Sequence, residues 1–379
     1  MGVLTVNAGS SSIRLATFAS EERGELVETR RASLNAGEDP RSQLRMFLRD
    51  HPADDIAVAA HRIVHGGPSL TQPCLIDPAV TAEIERLGAL APLHNPVALR
   101  WIAACEDVLG RSVPQVAAFD TAFHAGMPQV ASTYALPRTL CDTHGLRRYG
   151  FHGLAHEAMW RRWRALRPAL KDGGRAISLQ LGGGCSITAV RRGQAIDTSM
   201  GFTPLEGLVM STRAGDVDSG LLTFLQRAEA LTPNALERLV THDSGLLGLA
   251  GDGDMRALLA RNDAEARLAV DIYCYRASKY IGAYLAVLGG VDAILFGGGV
   301  GEHAVPIRTK ILRDLEWLGI ALDEAANRNA VGVEARISRG DCPVEVWVIA
   351  VDEAQVLARA ALALDPAKGT SSVRKDQVP

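Results

Sequence analysis

The sequence predicts an α/β protein made of two halves related by duplication, each half a mixed β-sheet flanked by helices. Three observations point there. The chain has 379 residues, beyond the size at which one hydrophobic core usually stops growing, so two domains are expected. A strand–turn–strand pattern at the start returns near the middle. Around these hairpins, short apolar strands alternate with stretches of helical periodicity.

The first hairpin is Val3–Asn7, then Ala8-Gly9-Ser10-Ser11-Ser12, then Ile13–Phe18. Apolar and β-branched residues around a cluster of small ones read as strand, tight turn, strand. The largely apolar stretch Ile56–Val64 is a further strand and ends in His65-Gly66-Gly67, while Val113–Phe119 leads into Asp120. The second hairpin is Ala176–Leu181, Gly182-Gly183-Gly184-Cys185-Ser186, and Ile187–Val190. Aligning Ser12-Ile13 with Ser186-Ile187 superposes the two turns without a gap, which suggests duplication rather than a solenoid of shorter period. A helix is expected over Val270–Leu288, where Val270, Tyr273, Cys274, Ala277, Ile281, Tyr284, Leu285 and Leu288 share one face. Strands Val291–Phe296 and Val344–Val351 run into Gly297-Gly298-Gly299 and Asp352-Glu353, and Glu353–Leu364 closes the chain as a helix. The polar, aperiodic tail Asp365–Pro379 is expected to be disordered.

Composition excludes several classes. With 47 % apolar and 22 % charged residues the chain is ordinary globular protein. Forty basic against 43 acidic residues give a net charge of −3; without a strongly basic segment, general nucleic-acid binding is not expected. No apolar run approaches the ~20 residues that cross a bilayer. The N-terminal apolar stretch is too short for a secretory signal. Six cysteines without CxxC spacing resemble neither a disulfide framework nor a thiolate metal site. A reducing, cytoplasmic setting is expected.

The chemistry-bearing residues stand at strand ends, where α/β folds usually bind ligands. The Asn7–Ser12 turn offers backbone N–H groups and hydroxyls at close range, and small residues let a phosphate approach. The Gly182–Ser186 turn does the same. Each alone also reads as an ordinary Gly/Ser hairpin turn; two matching turns suit a clamp for a polyphosphate. Gly297–Gly301 either passes under a flat base or forms a strand-to-helix loop with capping glycines. No Gly-Lys-Ser/Thr ends a glycine cluster, and no Gly-x-Gly-x-x-Gly opens a βαβ unit. Carboxylates at Asp120 and Glu353 suit Mg²⁺, which takes one or two carboxylates together with phosphate oxygens and water; Asp120 and Asp352 read equally as helix N-caps. Arg62 and Arg213, each beside a glycine-bearing segment, read as anion grips or as ion-pair partners at the surface. His152 and His156 have the i, i+4 spacing of zinc ligands, but Gly153-Leu154-Ala155 between them lacks the glutamate base of metalloproteases.

Taken together these segments resemble the acetate kinase family, in the acetate and sugar kinase/actin-like superfamily. The matching blocks are Asn7–Ser12, His61–Gly67, Ala91–Pro96, Phe119–His124, Tyr149–Gly153, Thr198–Gly207, Thr212-Arg213 and Gly299–Glu302, in family order along nearly the whole chain. The resemblance implies two actin-like (ribonuclease H-like) domains with a cleft between them, residues 1–120 with 353–379 and residues 121–352. It implies phosphoryl transfer between ATP and a short-chain carboxylate, with ATP/ADP as co-substrate, Mg²⁺ (or Mn²⁺) as cofactor, and a homodimer.

By similarity, Asn7, Asp120 and Glu353 hold or orient Mg²⁺. Arg62 and Arg213 grip the carboxylate and the moving phosphoryl group, and His152 contacts its oxygens; with Asp120 these form the candidate catalytic set. His94 lies near the substrate, and Val64, Leu93, Phe151 and Pro204 match the apolar pocket for the acetate methyl group. The candidate nucleotide- and phosphate-binding set is Asn7, Ser10, Ser12, Arg14, Gln180, Gly182, Gly183, Gly184, Gly297, Gly298, Gly299 and Gly301. The second phosphate loop departs from the family's usual His-Leu-Gly-Asn-Gly-Ser-Ser at Gln180, Gly183 and Cys185. A propionate-preferring enzyme, a pyrophosphate-dependent one, or a nucleotide-binding regulator that transfers nothing are the alternatives.

Overall fold

The computed structural model describes residues 2–9, 12–20, 25–35, 37–49, 55–92, 94–170 and 172–364. The expectations for Ser10, Leu93 and the 365–379 tail fall outside these residues. The chain divides into two compact units, residues 1–122 with 352–379 (unit 1) and residues 123–351 (unit 2).

Unit 1 holds β1 (Gly2–Ala8), β2 (Ser12–Ser20), β3 (Leu26–Asn35), β4 (Ile56–Ile63), β5 (Cys74–Leu75) and β6 (Gln115–Phe119). Their order in the sheet is β3-β2-β1-β4-β6-β5. β2 lies antiparallel to β1 and β3, β1–β4–β6 run parallel, and β5 returns antiparallel on β6. Because β1 and β4 are central strands covered on both faces, they read as near-continuous apolar runs rather than alternating ones. On one face Leu44, Phe47, Trp101 and Cys105 pack against Leu4, Val6, Ile13 and Leu15. Each large side chain removed from water in this way contributes about 1.5–3 kcal/mol. The closing helix Glu353–Ala363 buries Val356, Leu357, Ala358 and Ala361 and packs against β1, β4 and β6.

Unit 2 holds β7 (Arg175–Leu181), β8 (Cys185–Arg191), β9 (Gln194–Thr198), β10 (Ala293–Gly297), β11 (Ala335–Arg336) and β12 (Glu345–Val348). Read from β9 the order is β9-β8-β7-β10-β12-β11, with the same parallel and antiparallel pairings as unit 1. The duplication suggested by two short hairpins thus extends to the whole topology of both sheets. Their turns differ, however. Ala8 pairs with Ile13 but Leu181 pairs with Cys185, so the loops between them hold four and three residues and the gapless superposition fails by one. In the shorter loop the Gly182 N–H closes on the Gly184 carbonyl at 3.2 Å, a tight turn that consecutive glycines permit.

The helix expected over 270–288 begins earlier, at Ala264, where the Asp263 side chain caps it by accepting the Ala266 N–H. Its buried face includes Val270, Tyr273, Cys274, Ala277, Ile281, Tyr284 and Leu288, as the periodicity requires. On the other side of the sheet, Met159 and Trp163 of the helix Gly153–Leu166 pack on Ala176, Ala293, Leu295 and Ile349. No described helix is long and apolar enough to cross a membrane.

Candidate active site

In unit 1, β1, β4 and β6 run side by side in one direction, and Asn7, Arg62 and Asp120 stand at or just past their carboxyl ends. The geometry follows from that register. The Arg62 guanidinium forks onto Asp120, Nε to Oδ1 at 2.9 Å and NH2 to Oδ2 at 2.6 Å. Its NH1 donates to Asn7 Oδ1 at 3.0 Å, and Asn7 Nδ2 donates to Glu353 Oε2 at 2.5 Å. Asp120 is fully buried and the Arg62 side chain is 14 % exposed, so the pair is largely removed from water. Burial alone would favour the neutral guanidine, but the Asp120 and Glu353 carboxylates outweigh it and hold the Arg62 pKa above its ordinary value.

The turn that follows Arg62 is anchored by other residues of the sequence blocks. Asn95 accepts the His65 N–H at 3.2 Å and donates to the carbonyls of His65 and Ile84 at 3.1 and 3.3 Å. Thr121 Oγ1 accepts the Gly66 N–H at 3.1 Å, and His65 Nδ1 accepts that of Gly67 at 2.9 Å. Burial pushes the His65 pKa down to about 4. Val64 is buried beside this turn, and His94 precedes the helix Asn95–Leu109. Arg14 is exposed on β2, and Asp352, rather than Asp120, is a helix N-cap, accepting the Gln355 N–H at 3.2 Å.

The donor set of unit 1 suits a hard cation. Asp120, Glu353 and Asn7 supply carboxylate and amide oxygens, and a cation completing its shell with phosphate and water needs no more than two carboxylates. No group of three or more His, Cys, Asp or Glu side chains able to cage an ion alone occurs among the described residues. Mg²⁺ fits these donors better than zinc.

Unit 2 gathers His152, Gly184 and Arg213. A Cβ at Gly184 would lie 3.3 Å from His152 Cε1, 3.4 Å from its Nε2 and 3.6 Å from Arg213 NH1. His152 occupies the left-handed region at φ 57° just ahead of the helix Gly153–Leu166. A non-glycine residue in that region is strained and is held there by its surroundings. Gly150, at φ 74°, has its missing Cβ within 2.7 Å of Thr198 and His124, so the approach to His152 leaves no room for a side chain. His124 Nε2 donates to the Phe151 carbonyl at 3.1 Å.

Pro204 and Arg213 lie on one long loop, and Arg148 braces its start. Arg148 NH1 donates to the carbonyls of Thr198, Ser199 and Met200 at 3.1–3.2 Å, and NH2 pairs with Glu206, which also accepts the Tyr134 hydroxyl. Arg213 NH1 donates to the Pro204 carbonyl at 3.2 Å, and burial lowers its pKa.

A cavity of about 870 Å³ opens beside the Gly182–Gly184 turn, lined by Gly182, Gly183, Ser211, Leu246, Met255, Leu259, Tyr273, Gly299, Val300 and Pro306, among others. Its size and largely apolar walls are those of a small-molecule site. Of the third glycine cluster, Gly299 faces this cavity; Gly297 is crowded by Met159 and Val351, and Gly301 is buried against Phe296 and Leu181. Gly298, at φ 76°, gives its N–H to Glu302. Cys185 points into the core, its thiol 3.2 Å from both the Gly182 carbonyl and the Tyr273 hydroxyl. Gln180, the last residue but one of β7, has its Oε1 buried and unpaired among the described residues.

Comparison with known proteins places these features in one lineage. The acetokinase family profile matches residues 41–359. An acetate kinase of Chloroherpeton thalassium is 48 % identical over 312 residues, covering 81 % of this chain and 75 % of the relative. Among solved structures, acetate kinase of Porphyromonas gingivalis superposes with a TM-score of 0.87 at 36 % identity, over 96 % of this chain and 99 % of that one. A propionate kinase from Francisella tularensis also gives a TM-score of 0.87, at 33 % identity and the same coverage. The chain belongs to the acetokinase family.

Membership in the acetokinase family shows the actin-like α/β fold that the motif blocks implied. The sequence reading identified the charged side chains of both clusters but missed much of what holds them. Asn95, Thr121, His124, Arg148 and Glu206 lie inside or beside the acetokinase blocks, and their polar side chains within apolar surroundings were the available signal. The cavity walls at Met255, Leu259 and Tyr273 carried none; Tyr273 reads simply as core.

Proposed function

We propose that the protein is an acetate kinase, moving the γ-phosphoryl group of ATP directly and in line to acetate, reversibly, to give acetyl phosphate and ADP. The observation that carries this reading is the Gly182–Gly184 turn. One part of it lines the 870 Å³ cavity and its last glycine packs against His152 and Arg213. A nucleoside in that cavity would run its phosphates along the turn toward the two cationic or hydrogen-bonding side chains.

The acceptor is already an anion at neutral pH, so no general base is needed. What the chain must supply is alignment, and relief of repulsion between two anions. In unit 2, Arg213 and the Nε2 edge of His152 would donate to the phosphoryl oxygens as charge spreads over them. Phosphoryl-directed arginines contribute roughly 10³–10⁵ in rate. In unit 1, Arg62, kept charged and oriented by Asp120 and Asn7, would hold the carboxylate and exclude the neutral acid. Val64 and His94 in unit 1, and Phe151 and Pro204 in unit 2, are proposed as residues that recognise the acyl group. Asp120, Glu353 and Asn7 would hold Mg²⁺, which when bound supplies charge neutralisation on the nucleotide phosphates.

The size of the cavity favours a nucleotide over pyrophosphate as donor. The intact Arg62–Asp120 fork favours a carboxylate acceptor over a regulator that only binds nucleotide. A cytoplasmic setting is supported by the six free thiols. A homodimer is supported by the helices Ser219–Ala228 and Pro233–His242, which bury no residue, and by exposed Leu221, Phe224, Leu268 and Tyr275; sedimentation of the purified chain tests it.

The deciding experiment traps acyl phosphate with hydroxylamine, using acetate, propionate or butyrate, each with ATP or pyrophosphate. Acetyl hydroxamate from acetate and ATP, at higher kcat/KM than any other pair, is expected. Nucleotide binding without hydroxamate would overturn the enzymatic reading, and product from pyrophosphate alone would overturn the donor.

A further inference from the structure

The i, i+4 histidines of the helix entry share one serine. Ser186 Oγ on β8 lies 2.9 Å from His152 Nδ1 and 2.8 Å from His156 Nε2, and the other ring nitrogen of His156 lies 2.7 Å from Ser178 Oγ on β7. His156, Ser178 and Ser186 are each fully buried. A hydroxyl carries one hydrogen, so Ser186 cannot donate to both rings, and at least one imidazole must donate to it. A neutral His156 has a single ring hydrogen, and a buried hydroxyl hydrogen left without an acceptor is costly, so with every hydrogen engaged the row from Ser178 to His152 takes its direction as a unit.

When His156 Nε2–H donates to Ser186, the serine hydrogen goes to His152 Nδ1. The proton of a neutral His152 then sits on Nε2, the atom whose edge lies against Gly184. The opposite direction leaves a neutral His152 with a lone pair at Nε2, which repels phosphoryl oxygens. His124, edge-on to His156 with ring centroids 5.9 Å apart, fixes the backbone just before His152 through the Phe151 carbonyl. Resting on the acetate kinase reading of His152, we infer that Ser186, backed by His156 and Ser178, is a positioning residue that holds the His152 ring and keeps its hydrogen on Nε2, directed along the phosphate turn.

The test compares the wild-type enzyme with Ser186→Ala, Ser186→Thr, His152→Ala and the S186A/H152A double variant. S186A is expected to lower kcat about 10–100-fold, the range found when a partner that orients a metal-ligating histidine is lost, with little change in KM for ATP or acetate. S186T, which keeps the hydroxyl, is expected to recover most of the rate. Within H152A, adding S186A is expected to cost nothing further, because the serine acts through that ring. Nitrogen-resolved NMR of the imidazoles is expected to show His152 as the Nε2–H tautomer in the wild type and as a mixture in S186A. The inference is overturned by wild-type kcat in S186A, by an equal loss in the H152A background, or by an unchanged His152 tautomer. Wild-type turnover in H152A would instead remove His152 from the reaction, while the NMR comparison, which needs no turnover, still decides the relay.

Discussion

Adding one methyl group at Gly184 probes the proposed phosphoryl path with little disturbance elsewhere. Gly184 has no left-handed backbone requirement, and its Cβ would stand 3.3 and 3.4 Å from His152 Cε1 and Nε2 and 3.6 Å from Arg213 NH1. Favourable contacts to carbon lie near 3.5–4.0 Å, so the His152 ring must retreat by a few tenths of an ångström. The contact is with one edge of a single ring tethered through its Nδ1, and Gly→Ala removes freedom from the unfolded chain, so the two effects oppose and net stability should change by less than about 1 kcal/mol. Catalysis is less tolerant: misplacement by about 1 Å costs roughly 10²-fold. The methyl also occupies space beside the atoms that would meet a phosphoryl oxygen, so Gly184→Ala should lower kcat by about 10–100-fold. Hydroxamate formation at saturating ATP and acetate gives kcat, and a thermal melt should shift by no more than about 3 °C. Gly183→Ala, whose Cβ meets only Ser211 Oγ at 3.8 Å, should act mainly on the KM for ATP. Full kcat in G184A, or activity loss only in step with unfolding, would refute the placement of the reacting group beside this turn.

Four further outcomes are expected. Arg213→Ala should keep the wild-type circular dichroism and melting temperature yet lose most turnover; near-normal kcat removes Arg213 from the mechanism. Asp120→Asn leaves the buried Arg62 charge without its partner and should cost about 3–5 kcal/mol in denaturant unfolding as well as activity; a variant as stable as wild type contradicts the buried pair. Gly299→Leu, projecting into the open cavity, should raise the KM for ATP at least about tenfold and leave that for acetate unchanged; an unaltered ATP KM refutes the nucleoside site. Burial holds His61 and His65 near pKa 4, against 6.5 for the exposed ring. Above pH 6.5 both are neutral whether folded or unfolded. Below it the unfolded chain takes up protons that the native state refuses, so stability should fall by roughly 3 kcal/mol per histidine between pH 6.5 and 4. Melting temperatures unchanged from pH 7 to 5 would contradict this.

The residues that were legible in the sequence and those that were not differ in kind. Val3–Asn7, Ala176–Leu181 and the face of the long helix are set by neighbours within a few residues, and the strands and helix formed where the periodicity placed them. Their limits moved where a side-chain cap acts, as at Asp263. Gly297, Gly298, Gly299 and Gly301 look alike in the sequence, yet Gly299 alone of them lines the cavity, because the others are taken up by strand packing, a backbone bond or the core. His156 shared the spacing of a zinc ligand with His152; among the described residues its hydrogen-bond partners are two serines of neighbouring strands.

From the amino-acid sequence alone came the α/β class, the duplication, and the arginine, aspartate and histidine side chains suited to handling anions, since composition, periodicity and chemical type are local properties. Tertiary structure decided which of them touch. Arg62 meets Asp120 across 58 positions, Asn7 meets Glu353 across 346, and Ser186 meets His152 across 34. Such pairings depend on sheet order and register, which put distant segments at one strand end, and no short-range pattern encodes them.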